Sequence, residues 1–573
     1  MGKKVKYTIG FANPVTHYCE VEISVKTDGE NFVEFGMPVW TPGSYKVREY
    51  SRHVDKVRAE DGKGKGLSCE KVNKNTWRVS TMESEEVLLK YRVYCNEVTV
   101  RTSQITSDHA FINGTSVFMF VRGKMDAECE LEIKPHTNWK KISTGLTYIE
   151  RNLYKAENYD VFVDCPIEIG NQEVLEFESD GKKHYISIYG KGNYDKEKFV
   201  TDFKKIADAE SRMMDGLPYE HFTFLLTFVE SGGGGLEHLN SFAAIFPAWK
   251  FDDEKMYKRF LGLISHELFH VWNVKRIRPI ELGPFNYDAE VYTKMHWVTE
   301  GWTSFFDNLL LRRAELLDDK GYLEFVAEEV NEILGYEGRM HQSLEESSFD
   351  NWIKFYEKHE NTRNDQISYY KKGSLIAMML DIEMISATNG EKCLDDALKI
   401  LYEDFKKDPA HGYTSERVKE VCESIAGKNL DSFWAKYIRG TDELPLEEYL
   451  AKAGIEMKNA HKEGEIKIGG VLKNGAENIL LEEVHSGGVA YAAGLSAGDE
   501  LIALDGVRLN SGNFKGVLST LKEGDDVKAI VSRNGTVREL KLKISKPVPK
   551  FELIRKEKTT EEEDMIWNKW ING

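Results

Sequence analysis

Two histidines, His266 and His270, flank Glu267 in the run I-S-H-E-L-F-H-V-W-N. Their spacing demands a helix, because only there do residues i and i+4 project from one face, about one turn apart. The flanking Phe260, Leu261, Leu263, Ile264, Leu268, Phe269, Val271 and Trp272 give that helix an apolar surround. Two imidazoles on one face can ligate a single metal ion, and zinc suits this pattern; Glu267, beside them, is placed to take a proton from water that the ion activates. Five letters also fit a plain helix with two histidines and a glutamate on a wet face. A metal site needs a third protein ligand from elsewhere in the chain.

The chain has 573 residues, more than the roughly 250–300 that one core supports, so two to four domains are expected. No run approaches the ~20 consecutive apolar residues of a membrane-spanning helix. A formal charge of −18 argues against nucleic acid or an anionic membrane as partner, since both demand a basic face. The N-terminal lysines lack an apolar segment behind them, and Gly2 is followed at position 6 by Lys6 rather than the Ser or Thr that favours acylation. The seven cysteines are odd in number and none stand at C-x-x-C spacing, which predicts reduced, mostly buried thiols in a cytoplasmic protein.

Residues 1 to about 170 alternate in short runs such as Y-C-E-V-E-I-S-V and V-L-L-K-Y-R-V-Y, separated by Gly-rich turns, and predict an antiparallel sandwich or barrel. The loop W-T-P-G-S-Y-K-V-R-E-Y, Trp40 to Tyr50, stands out there. Strands mix with a helix near 196–214 up to about 230. Helical periodicity then governs 255–275, 291–316, 321–335, 372–387, 392–405, 414–426 and 430–438, with Pro279 stopping the first. Strands return over 456–546, and the tail 551–573 is a short helix or a loose end.

Two glutamates compete for the third ligand position. Glu290, twenty residues after His270, has the usual spacing of the thermolysin-like group. Glu300, thirty residues after His270, lies in W-V-T-E-G-W-T-S-F-F-D. This run resembles the second ligand helix of the gluzincin metallopeptidases, W-L-x-E-G-x-A-x-Y/F-x-E. Trp297, Glu300, Gly301, Phe305 and Phe306 fit, and Asp307 replaces the last Glu. Local context favours Glu300, because a loop between ligand helices can lengthen without moving the ligand.

Three further pieces resemble the aminopeptidase branch of that group. S-G-G-G-G-L-E-H, Ser231 to His238, is similar to the G-x-M-E-N strand whose backbone binds the peptide and whose Glu holds its free α-amine. The resemblance implies substrate contacts at Gly234, Gly235 and Glu237, with His238 where Asn is usual. S-Y-Y-K-K-G, Ser368 to Gly373, is similar to Y-x-K-G, which implies that Tyr370 stabilises the oxyanion, with Tyr369 the alternative if the register slips by one. The whole arrangement from the β region through H-E-L-F-H-V-W-N-V-K-R-I-R-P resembles the glycyl aminopeptidase family. In it Asn273, Arg276 and Arg278 would shape the surroundings of the site. Val484 to Leu509 is similar to the heart of a PDZ domain through Ala493, Gly494, Leu495, Gly498, Asp499, Asp505 and Gly506; Ile468 to Val471 is only a loose fit to its carboxylate-binding loop.

The expected architecture is therefore multidomain α+β: a β-sandwich-like domain over 1–172, a thermolysin-like, mainly helical catalytic domain over 173–455, a PDZ domain over 456–548 and a tail over 549–573. The expected function is a zinc aminopeptidase acting on peptides with a free N-terminus, with Gly or Ala preference implied by the resemblance alone. Zinc would be held by His266, His270 and Glu300, Glu267 would be the general base, and the PDZ groove would take a peptide or C-terminus. An endopeptidase on the same site, or an interaction protein with a vestigial peptidase domain, are the alternatives.

Overall fold

The computed structural model describes residues 4–461, 467–474, 478–546 and 549–573; Gly2 lies outside them. The chain divides into two compact units. The first comprises Met1–Thr293, Phe306–Leu317 and Leu398–Thr414, and the second comprises Lys294–Phe305, Asp318–Ala397 and Ser415–Gly573.

In the first unit, the N-terminal region forms an eight-stranded sheet and two four-stranded sheets. Alternation decides which face is inside: in Glu86–Tyr94, Val87, Leu89, Tyr91 and Val93 are buried, and the residues between them are not. Phe35, Trp77, Leu89, Phe118 and Tyr159 belong to one core that these sheets share.

The same unit holds a mixed five-stranded sheet of β1 (Glu173–Ser179), β2 (Lys182–Tyr189), β3 (His221–Val229), β4 (Gly234–Glu237) and β5 (Ser241–Pro247), in the order β1-β2-β3-β5-β4. The β2-β3 and β3-β5 pairs are parallel, and β4 forms an antiparallel edge. Helix α1 (Lys196–Met213) packs on α2 (Glu254–Phe269), the helix that carries His266. Phe199, Phe203, Phe224 and Phe260 fill the space between helices and sheet, with ring centroids 5.1–5.9 Å apart in the Phe203–Phe224, Phe199–Phe260 and Phe203–Phe260 pairs.

Helix α2 is shorter than its periodicity implies. It stops at Phe269, although apolar residues continue through Val271 and Trp272. The chain folds back instead: Lys275 N–H donates to the His270 carbonyl at 3.1 Å, and Val274 takes a φ of 128°. The buried Arg276 holds this turn by donating to the carbonyls of Val271 (2.7 Å), Leu239 (3.3 Å) and Pro218 (2.7 Å). The predicted helix over 291–316 likewise begins later, as His296–Thr299 continued by α3 (Gly301–Arg313).

In the second unit, α4 (Tyr369–Ala387) is buried along nearly its whole length, with Ser368 as N-cap. Residues 470–543 form a six-stranded sheet around Ile479, Leu481, Leu501, Val527 and Val531. Its buried Asp499 is held by Arg533 at 2.7 Å, and this keeps the carboxyl below its ordinary range against the opposing effect of burial. The tail is ordered: Phe551–Arg555 pairs with Ile455–Asn459, and Glu561–Asn572 is a helix with a Thr560/Glu563 capping box. All seven cysteines are free thiols. Among the described residues, no helix is long and apolar enough to cross a membrane.

Candidate metal centre and peptide site

His266 in α2 and His270 at its C-cap each spend one ring nitrogen on a fixed acceptor. His266 Nδ1 lies 3.1 Å from Asp307 Oδ2, and His270 Nδ1 lies 2.7 Å from the Asn273 carbonyl oxygen. A carbonyl or carboxylate only accepts, so Nδ1 carries the proton and Nε2 presents its lone pair. The rings stand 4.7 Å apart at 88° to one another. The tight turn after α2 thus has a chemical role, since it brings the Asn273 carbonyl back under His270.

Glu300 sits where His296–Thr299 runs into α3. Glu300 N–H donates to the His296 carbonyl and Ser304 N–H to the Glu300 carbonyl, each at 2.8 Å, so the helical backbone is continuous. Glu300 and Asp307 are therefore about two turns apart on one helix. The donor atoms of His266, His270 and Glu300 all lie within 4.8 Å of one another. Two imidazoles whose Nδ1 is held elsewhere and one buried carboxylate match the donor set that a catalytic zinc site uses. Glu290, on a half-buried loop, belongs to neither of the metal-competent groups found among the described residues.

Strand β4 presents alternate residues to opposite sides. Leu236 enters an apolar cluster, while Gly235 and Glu237 face the other way. A Cβ at Gly235 would overlap the Glu267 carboxylate, so glycine is what lets the strand lie against that residue. Glu237 is buried, and its carboxylate lies within 4.8 Å of donor atoms on Glu267 and His270. Gly43, from the W-T-P-G-S-Y loop of the N-terminal region, covers it: a Cβ there would stand 2.6 Å from both Glu237 oxygens, and its φ of +83° favours glycine.

In the second unit, α4 crosses the Glu300 turn at two glycines. A Cβ on Gly301 would lie 2.6 Å from Gly373 Cα and 2.9 Å from the Tyr369 carbonyl oxygen. This crossing sets the first turn of α4 beside Glu300. Tyr369 is fully buried, with its ring 5.6 Å from His296 and 4.7 Å from Phe355. Tyr370 is half-buried and stacks on Phe355 at 5.4 Å.

Known proteins align with this arrangement in three segments. The Peptidase M61 N-terminal domain family matches residues 6–171, the M61 glycyl aminopeptidase family matches 259–376, and the PDZ domain family matches 452–544. Two of these families are those of M61 peptidases, and the chain carries a metallopeptidase. A crystal structure of an aminopeptidase N family protein from Idiomarina loihiensis is similar over 99% of this chain and 100% of that one, at 28% identity and a TM-score of 0.92. An M1 zinc metallopeptidase from Deinococcus radiodurans is 12% identical over 78% of this chain and 95% of its own, with a TM-score of 0.49. Yeast LTA4 hydrolase in complex with bestatin is 11% identical over 78% of this chain and 68% of its own, with a TM-score of 0.48. No curated protein matches the chain.

Around this candidate site, three supporting groups were not legible in the sequence. Asp164, from the N-terminal region, accepts from Lys275 Nζ at 2.7 Å and from Leu239 N–H at 2.8 Å, and lies 3.1 Å from His238 Nδ1. That contact accounts for a histidine after Glu237 where the resembling motif has Asn. Burial alone would lower the Lys275 pKa; Asp164 and Glu237 more than offset it, so the ammonium stays charged. The third is Gly43: its loop stands out in the sequence, but its approach to Glu237 joins residues far apart in the chain and is not visible there.

Proposed function

We propose that this chain is a zinc aminopeptidase that removes the N-terminal residue of peptides. The observation that carries the reading is Glu237: a buried carboxylate, covered by the Gly43 loop, beside the donors of Glu267 and His270. A free α-ammonium pairs with such a carboxylate, and it stands one residue from the bond that is cut. A blocked amine cannot form this charge-assisted pair.

Zinc, held by His266, His270 and Glu300, would supply Lewis acidity to the scissile carbonyl and to the attacking water. Glu267 accepts the proton of that water and delivers it to the departing amine nitrogen. The Tyr370 hydroxyl, more accessible than that of the buried Tyr369, donates to the developing oxyanion. Strand β4 pairs with the substrate backbone as an added strand, and Gly235 leaves room for Glu267 beneath it. For the first residue we infer Gly or Ala; the description of the matched family supports Gly. In the PDZ region, Gly470–Asn474 ends its sheet and offers the edge at which a second peptide would pair.

A set of unblocked peptides and their N-acetylated counterparts tests the reading. Acetylation is expected to lower kcat/KM by about 100-fold or more, the effect of losing one partner of a buried charge pair. A zinc chelator should abolish activity and added zinc restore it. Equal cleavage of acetylated peptides would make the protein an endopeptidase, and activity insensitive to chelator would remove the metal.

A further inference from the structure

At Gly234, the end of β4 remote from Glu237, lies an arginine that nothing above uses. Arg101 belongs to a turn of the N-terminal region, and its backbone is held firmly. The Tyr50 hydroxyl donates to its carbonyl at 2.6 Å, and its own N–H donates to Thr99 Oγ1 at 3.0 Å. Its neighbour Val100 packs in a cluster with Phe111, Leu225, Leu236 and Ala243, which fixes the turn to the core side of β4. The guanidinium reaches the strand: a Cβ on Gly234 would stand 3.9 Å from Nη1 and 4.0 Å from Nη2.

Among the described residues, no carboxylate pairs with Arg101, and its buried Nε has no acceptor. The nearby Glu97 is taken by Arg52 at 2.7 Å. Other arginines of the same region behave differently, for Arg92 and Arg122 each make two-pronged contacts with an aspartate, Asp55 and Asp288. A guanidinium held half-buried without an anion costs stability. Its place along β4 says which anion fits.

We propose that Arg101 binds the C-terminal carboxylate of short substrates, so that the enzyme favours tripeptides with a free C-terminus. This rests on the aminopeptidase reading above. A peptide anchored by its ammonium at Glu237 and attacked beside Glu267, which lies against Gly235, runs from Glu237 towards Gly234. It is then antiparallel to β4, the direction in which an edge strand adds a partner through perpendicular hydrogen bonds. From Glu237 to Gly234 the strand rises about 10 Å, at roughly 3.4 Å per residue, the length of three substrate residues. The third residue therefore ends beside Gly234, which the guanidinium approaches from the Leu236 side of the strand, and its two Nη groups match the two oxygens of a carboxylate. A longer peptide presents a neutral carbonyl there and gains less.

The test compares Gly-Ala-Ala with its C-terminal amide, on the full chain and on Arg101→Ala and Arg101→Lys. Native protein is expected to cleave the free acid roughly 10- to 100-fold better in kcat/KM, mostly through KM, as for one charge-assisted contact. Arg101→Ala should bring the acid-to-amide ratio close to one, and Arg101→Lys should restore part of it. A ratio near one in the native protein overturns the proposal without any variant. So does an Arg101→Ala protein that slows on acid and amide alike with the ratio kept, since a structural arginine would do that. Cleavage of N-acetyl-Gly-Ala-Ala as fast as Gly-Ala-Ala would instead overturn the aminopeptidase reading and this inference with it.

Discussion

Asp307 and the Asn273 carbonyl fix the tautomer of His266 and His270, and so decide which nitrogen would meet a metal. A carboxylate partner also raises the basicity of its imidazole, so Asp307→Asn, which keeps shape and loses charge, should weaken metal affinity by about 10- to 100-fold. Competition with a chelator of known affinity measures this; unchanged affinity would reduce Asp307 to a packing group. In the same assay Glu300→Ala should lose stoichiometric metal, while Glu290→Ala keeps it. The reverse pattern would move the third ligand. His266, Glu267, His270 and Glu300 stand in recognisable local runs and were legible in sequence. The Asn273 carbonyl was not, because a backbone group becomes a partner only through the turn that delivers it.

At the scale of elements, the crossing of α4 over the Glu300 turn depends on bare backbone. Gly→Ala inside a helix ordinarily stabilises by about 1 kcal/mol. At Gly373 the sign should reverse, because the new Cβ would lie 2.7 Å from the Trp297 carbonyl oxygen and 2.9 Å from Gly301 Cα, and backbone cannot retreat. Gly373→Ala is expected to lose about 1–3 kcal/mol, as other overpacked sites do. Urea midpoints at constant m would report it, and a stabilised variant would rule out the tight crossing. The pattern Y-x-K-G displayed this glycine in the sequence without its reason. Periodicity also carried α2 too far, through Val271 and Trp272, since burial alone continues a helix. The three carbonyls that Arg276 satisfies lie on the turn and on distant loops, and they favour the turn over the helix.

For the molecule as a whole, the N-terminal β region does more than accompany the catalytic sheet within the first unit. It sends Gly43 over Glu237, Asp164 to His238 and Lys275, and Val100 with Phe111 against Leu236 of β4. Phe111→Ala should therefore cost about 3–5 kcal/mol, the usual range for a buried Phe, and should also lower kcat/KM on peptides, although Phe111 touches no reacting group. Lost stability with unchanged kinetics would show that β4 keeps its position without this cluster. Sequence by itself determined the helix bearing two histidines, the alternating strands, the candidate ligands and the order of domains, because each follows from spacing within one element. Only the tertiary structure decided which acceptor holds each histidine, why particular glycines carry no side chain, and that a loop some two hundred residues away in sequence, near Gly43, closes over Glu237. Those facts are distances between segments remote in the chain, and neither propensity nor periodicity carries information about them.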